Sequence, residues 1–301
     1  MGEGSGPCWR GCGSTGRDFC YDPVPMRKLL ILAALATLPI VAAAQLRLPR
    51  PSPKQTITQA AGLTDITISY SRPGVKGRQI WGSLVPYGQV WRTGANEATT
   101  IQFSTDVTVG GKQLPAGTYS LHTIPGKDSW TIVLNSDANL WGSFGFDPAK
   151  DLLRFEAKPQ AAPFTEWLTF DFTDVNPETA TVVLRWEKIA VPFQVVTGTA
   201  ARAMANIKEA LAAAKPDDWR TPYTAANYAF DQGDMVNAQA WLDQSLAAKQ
   251  TMAGLWLKAR MQAKAGNKAE ALKTVEAALA LAGPDDADFA SEIKRLSAMW
   301  K

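Results

Sequence analysis

The sequence predicts an all-β antiparallel sandwich or jelly-roll-like domain followed by an all-α, tetratricopeptide-like helical domain. Three observations carry that prediction. Apolar residues alternate with the period of a strand from about residue 55 to 197, the period then becomes that of a helix, and two helical segments repeat one another. At 301 residues the chain is long enough for about two domains, each burying its own core.

In "TDITISYS" (64–71), Ile66, Ile68 and Tyr70 alternate with Thr67, Ser69 and Ser71, so one face can be buried while the other stays wet. The segments "TTIQFS", "GTYSLHTI", "SWTIVLN", "LLRFEA", "EWLTFDFTD", "TATVVLRWE" and "VPFQVV" follow, separated by turn formers such as Gly110-Gly111, Pro125-Gly126 and Asn176-Pro177. About nine short strands with no helical stretch between them give a sandwich over 55–197, preceded by a linker at 45–54. The pattern does not fix strand order.

Residues 198–301 read as a helical repeat domain. Met204, Ile207 and Leu211 recur at helical spacing in "TAARAMANIKEALAAAK", and Pro216 stops that helix. "QGDMVNAQAWLDQSLA" (232–247) and "AGNKAEALKTVEAALA" (265–280) then match at Gly233 and Gly266, Ala238 and Ala271, and Leu246 and Leu279. The repeat of 33 residues is close to the 34 of a tetratricopeptide unit. Single repeats cannot bury their faces, so the helix at 199–214 is expected to cover one end of the stack. A last helix with Phe289, Ile293, Leu296 and Trp300 on one stripe is expected to cap the other.

The first 44 residues predict an address. "MRKLLILAALATLPIVAAAQ", from Met26, has a basic start, a short apolar run and a small-residue end, the layout of a signal peptide at 26–44 cleaved after Ala44. Met26 then reads as the start, and residues 1–25 as an upstream extension from a mis-assigned start. The expected location is periplasmic or secreted, with no stable membrane insertion after cleavage. Cys8, Cys12 and Cys20 all precede the leader, so disulfides and thiol chemistry are not expected in the mature chain. Removing four basic and three acidic residues with this segment takes the net charge from +3 to +2, and nothing in that balance points to nucleic acid.

The run "YSRPGVKGRQIWGSLVPYGQVWRTGANEAT" (70–99), with "GKQLPAGTYSLHTIPG", "WTIVLN" and "LRWEKIAVPF", resembles the domain of unknown function 2911 (DUF2911) family over about 52–196. The resemblance implies an exported β-rich domain and no established activity.

The candidate site lies in this run. Arg72, Lys76, Arg78 and Arg92 fall beside Tyr70, Trp81, Tyr87 and Trp91 with no acid between Ile66 and Asn96. On one face they would form a cationic, aromatic surface suited to a glycan or anionic ligand, since rings stack on sugars and guanidinium forks grip carboxylates. Asn96, Glu97 and Trp141 complete the candidate set. The bland alternative makes Arg92 and Glu97 an ion pair closing "RTGANE", with Gly94 supplying an unusual backbone angle, and makes Trp81 and Trp91 core residues.

His122, the only histidine, is expected on the wet face of its strand with Thr118 and Ser120, which argues against histidine chemistry. The segment 136–151, carrying Trp141, Phe144 and Phe146, is expected either to cover a ligand face as a flap or to plug the sandwich end. The leading expectation is a non-enzymatic binding module, its partner an envelope protein or a glycan, with no cofactor and no metal. The alternative is a glycan-active hydrolase using two of Glu97, Glu156, Glu166 and Glu187.

Overall fold

The computed structural model describes residues 48–300, so the expected leader, its cleavage point and the cysteines lie outside the described residues. Ten antiparallel strands form two sheets. The first has the order β1 (Lys54–Ala61), β2 (Thr64–Ser71), β3 (Thr100–Phe103), β6 (Gly117–Ile124), β7 (Trp130–Asn135), β8 (Asp151–Ala157). The second has the order β5 (Lys112–Leu114), β4 (Val107–Val109), β10 (Thr179–Val196), β9 (Gln160–Thr173). The alternating apolar residues meet in one core between the sheets, with Ile66, Ile68, Ile101 and Leu121 from one and Leu168, Val182, Leu184 and Trp186 from the other. Tyr70 ties the sheets together: its hydroxyl donates to Gln55 and accepts from the Phe170 amide.

The long connection between β2 and β3 closes one end of the core. Trp81 and Trp91 from that connection meet Trp130 and Trp186 with centroids 4.9–6.4 Å apart. This is the core placement for both indoles, which pack against the buried cluster that Val75, Ile80 and Val85 of the same connection also join.

Six helices follow: α1 (Thr199–Ala213), α2 (Arg220–Asp231), α3 (Met235–Ala248), α4 (Met252–Lys264), α5 (Lys268–Leu279) and α6 (Ala287–Ser297). Helices α2 and α3 turn at Gly233, and α4 and α5 at Gly266, with φ of 81° and 86° that suit glycine. Ala238 and Ala271 are fully buried where the paired helices touch. The sequence repeat is therefore a structural one. Ile293, Leu296 and Trp300 pack on the second pair, Trp300 stacking on Trp256 at 5.3 Å, whereas Phe289 departs from the expected stripe and stays partly exposed. Helix α1 buries only Thr199 and covers its end of the stack loosely.

From Arg50 onward the two halves form one compact unit. The β1–β2 turn meets the start of α1, where a Cβ on Gly62 would lie 2.0 Å from Thr199 Oγ1. Glu178 accepts from the Ala200 amide and so supplies the N-terminal partner that Gly198 lacks a side chain to give. Among the described residues no helix is long and apolar enough to cross a membrane.

Candidate functional site

Strand register sets a row of polar side chains across the outer face of the six-stranded sheet. Ser69 pairs with Thr100, Thr100 with Ser120, Ser120 with Asn135, and Asn135 with Asp151. Thr56 extends the row at the β1 edge, its hydroxyl 2.9 Å from that of Ser69. Because the core-facing neighbours are apolar, this row is the other half of the same alternation.

The segment 136–151 folds back over the row. Its base is pinned where Ser136 N donates to Lys150 O, Asn135 Nδ2 to Asp147 O, and Lys150 Nζ pairs with Asp137 at 3.0 Å. Of its rings, Phe146 lies 4.9 Å from His122, whereas Trp141 is 58% exposed and Phe144 more so. The segment is a flap over the outer face rather than a plug in the core.

Between flap and sheet lies a pocket of about 270 Å³. Ser69, Ser71 and Thr100 line its floor, Ala138 to Trp141 one wall, and Lys54 and Glu97 its polar edge. Glu97 is held below the usual carboxylate range chiefly by a hydrogen bond from Arg50, whose guanidinium lies 2.6 Å away.

His122 and the turn at 92–97 differ from expectation. His122 does share its face with Thr118 and Ser120, but the flap buries it completely, and neither ring nitrogen makes a well-formed hydrogen bond, the Gly142 backbone being close but poorly aligned. Burial pushes its pKa down, opposed in part by the Gly142 backbone and the charge of Asp151. Arg92 does not pair with Glu97; Arg50, distant in sequence, has taken that carboxylate. Arg92 forms no ion pair among the described residues, and burial lowers its pKa. Positive φ falls on Thr93 (56°) and Asn96 (58°), not on Gly94. Gly94 is needed for closeness instead, since a Cβ there would sit 3.0 Å from both Ser71 O and Thr99 Oγ1. Asn96 donates to the Ser52 carbonyl rather than to the turn.

The expected cationic patch is not assembled. Arg72 donates to Leu168 O and Thr169 Oγ1, and Arg78 to Val75 O and Gly74 O, so both guanidiniums hold backbone in place. Tyr70, Trp81 and Trp91 are in or against the core, and only Tyr87 stays exposed. Of the predicted residues, Tyr70, Glu97 and Trp141 line the pocket, and Arg92 lies under the flap at Gly142. The site's hydroxyl row was missed. Alternation places those residues outward, but only the register brings them into line.

Residues 52–195 match the family model described as "Protein of unknown function (DUF2911)". The β domain belongs to this family. No curated protein and no solved structure matches the chain. The match ends within β10, so pocket, flap and hydroxyl row are all features of the DUF2911 domain, and the helical repeats lie beyond it. Among the described residues no cluster of His, Cys, Asp and Glu is arranged to hold a metal.

Proposed function

We propose that the protein is an exported, non-enzymatic binding module whose DUF2911 domain takes a glycan on the outer face of its six-stranded sheet. The observation that carries this reading is the pocket. Hydroxyls on its floor can exchange hydrogen bonds with sugar hydroxyls, the exposed Trp141 indole at its wall offers a stacking surface, and Lys54 and Glu97 set polar contacts at the rim. Its volume suits one sugar unit rather than a length of chain. The leader motif at 26–44 supports export to the periplasm or beyond.

A glycan-active hydrolase has less support. Glycoside cleavage ordinarily uses two carboxyl groups about 5 to 10 Å apart, and Glu97 is the sole carboxylate lining this pocket. Glu166 accepts from the Lys76 amide, Glu187 from the Lys188 amide at a bulge, and Glu156 lines a separate groove. An envelope protein partner fits the helical repeats, where Ile207, Ala210 and Ala225 line an apolar groove between α1 and α2.

A glycan array probed with chain starting at Gln45 tests the reading. Selective retention of a glycan class is expected, with Trp141→Ala weakening it by about tenfold, as loss of one stacked ring does. Retention of no glycan, or an unchanged Trp141→Ala profile, would count against it.

A further inference from the structure

The hydroxyl row runs on past the end of the pocket. Thr100 lines the pocket, and its register partner Ser120 lies under the flap, fully buried, with a hydroxyl that meets no partner. Two residues further along β6 is His122, equally buried, with no well-formed hydrogen bond at either ring nitrogen and only the Gly142 backbone close by. The bridge between Trp91 and Thr123 sets Arg92 beside His122. Trp91 packs against the core, so Arg92 faces outward, as His122 does.

Arg92 Nε is buried without a partner. Gly142 roofs both residues: a Cβ on it would lie 3.1 Å from Arg92 Nη1, and its backbone faces the His122 ring. Asp151, the acid whose charge acts on His122, is already engaged, accepting from Asn135 through one oxygen and from Arg154 through the other. What remains is a set of donors beside one half-buried positive charge that has no acidic partner, where an anion would gain an ion pair and hydrogen bonds together.

We propose that, once the flap lifts and carries Phe146 off the His122 ring, these residues enclose a chamber that binds a carboxylate of the ligand, with Arg92 as its ion-pair partner and Ser120 and His122 as hydrogen-bond donors. The proposal rests on the glycan reading, and with it the ligand becomes a sugar acid: the sugar ring in the pocket beside Trp141, the carboxylate one strand further in. One guanidinium beside a neutral imidazole matches a monoanion better than a dianion. The flap provides the way in. Its base is pinned at both ends, but its middle is tied to the 92–99 turn by one backbone bond, from Ala98 N to Leu140 O, and it bends at Gly142 and Gly145 with φ of 72° and 75°. Lifting residues 138–146 extends the pocket from Thr100 to Ser120.

His122 is the only histidine, so its ring resonances report on this chamber alone. The full mature chain is titrated with D-glucuronate, D-glucose and acetate, following by NMR the His122 ring and the Trp141 indole N–H, the latter assigned from its loss in Trp141→Ala. Glucuronate and acetate are expected to shift the His122 ring and glucose to leave it still. Arg92→Gln is expected to weaken the glucuronate shift about tenfold, and Ser120→Ala, which removes only a hydroxyl with no partner in the fold, by less. A His122 ring unmoved by both glucuronate and acetate, or moved equally in Arg92→Gln, overturns the chamber. Failure of the glycan reading is a different result: Trp141 responds to neither sugar while acetate still shifts His122.

Discussion

His122 shows how much a single roofed residue changes. Its neutral form is the one its burial tolerates, so the folded protein binds a proton there less readily than the unfolded chain does. For a group whose folded pKa is lowered in this sense, the unfolded state gains protons first as pH drops. The stability tied to a neutral ring is therefore complete above the ordinary histidine value of about 6.5 and is lost as pH falls from there toward the folded value. We predict that the thermal midpoint declines as pH falls below about 6.5, and that His122→Gln flattens this decline. An identical decline in both proteins would show that the ring is not the titrating group. Gly94 makes a second case at this scale. Its Cβ-free approach to Ser71 O and Thr99 Oγ1 predicts a loss of about 1–3 kcal/mol in Gly94→Ala, read from chemical denaturation, although no strained φ is involved. The Arg92–Glu97 pair failed for a reason the turn itself cannot show: the cation that reaches Glu97 comes from Arg50, 47 residues away, and local spacing carries no information about it.

At the scale of elements, the four-tryptophan corner and the flap divide the labour. Trp186 is buried against Trp81 and Trp91, so Trp186→Ala should cost about 3–5 kcal/mol and strip much of the near-ultraviolet dichroism, while a flap substitution should do neither. Most of the strands were legible because both faces wrote into the sequence, apolar inward and hydroxyl outward, as in β2. Others were not. In β1, "KQTITQAA", the edge position leaves Ile57 as the one large apolar residue, and β4 and β5 have three residues each, too few to show a period. The helix pairs were legible through Gly233 and Gly266, whose turns need a left-handed backbone. The flap was visible as a long segment rich in rings and glycine, but whether those rings point to core or to solvent is decided by tertiary packing.

For the whole molecule, every residue lining the pocket lies in the β domain, so the site should survive without the helical repeats. Chain truncated after Thr197 is predicted to keep ligand binding within about threefold while melting at a lower temperature, because the Gly62, Thr199 and Glu178 contacts at the junction are lost. Calorimetry and binding on that truncation check it, and loss of binding with retained fold would place part of the site in the repeats. The central claim is that the ligand lies on the outer sheet face, under the flap. Amide NMR of the mature chain titrated with the strongest glycan-array ligand tests it most directly. The account predicts that shifts gather on Ser69, Ser71, Thr100, Ser120 and residues 138–142; shifts confined to the helical repeats, or none at saturating ligand, would contradict it.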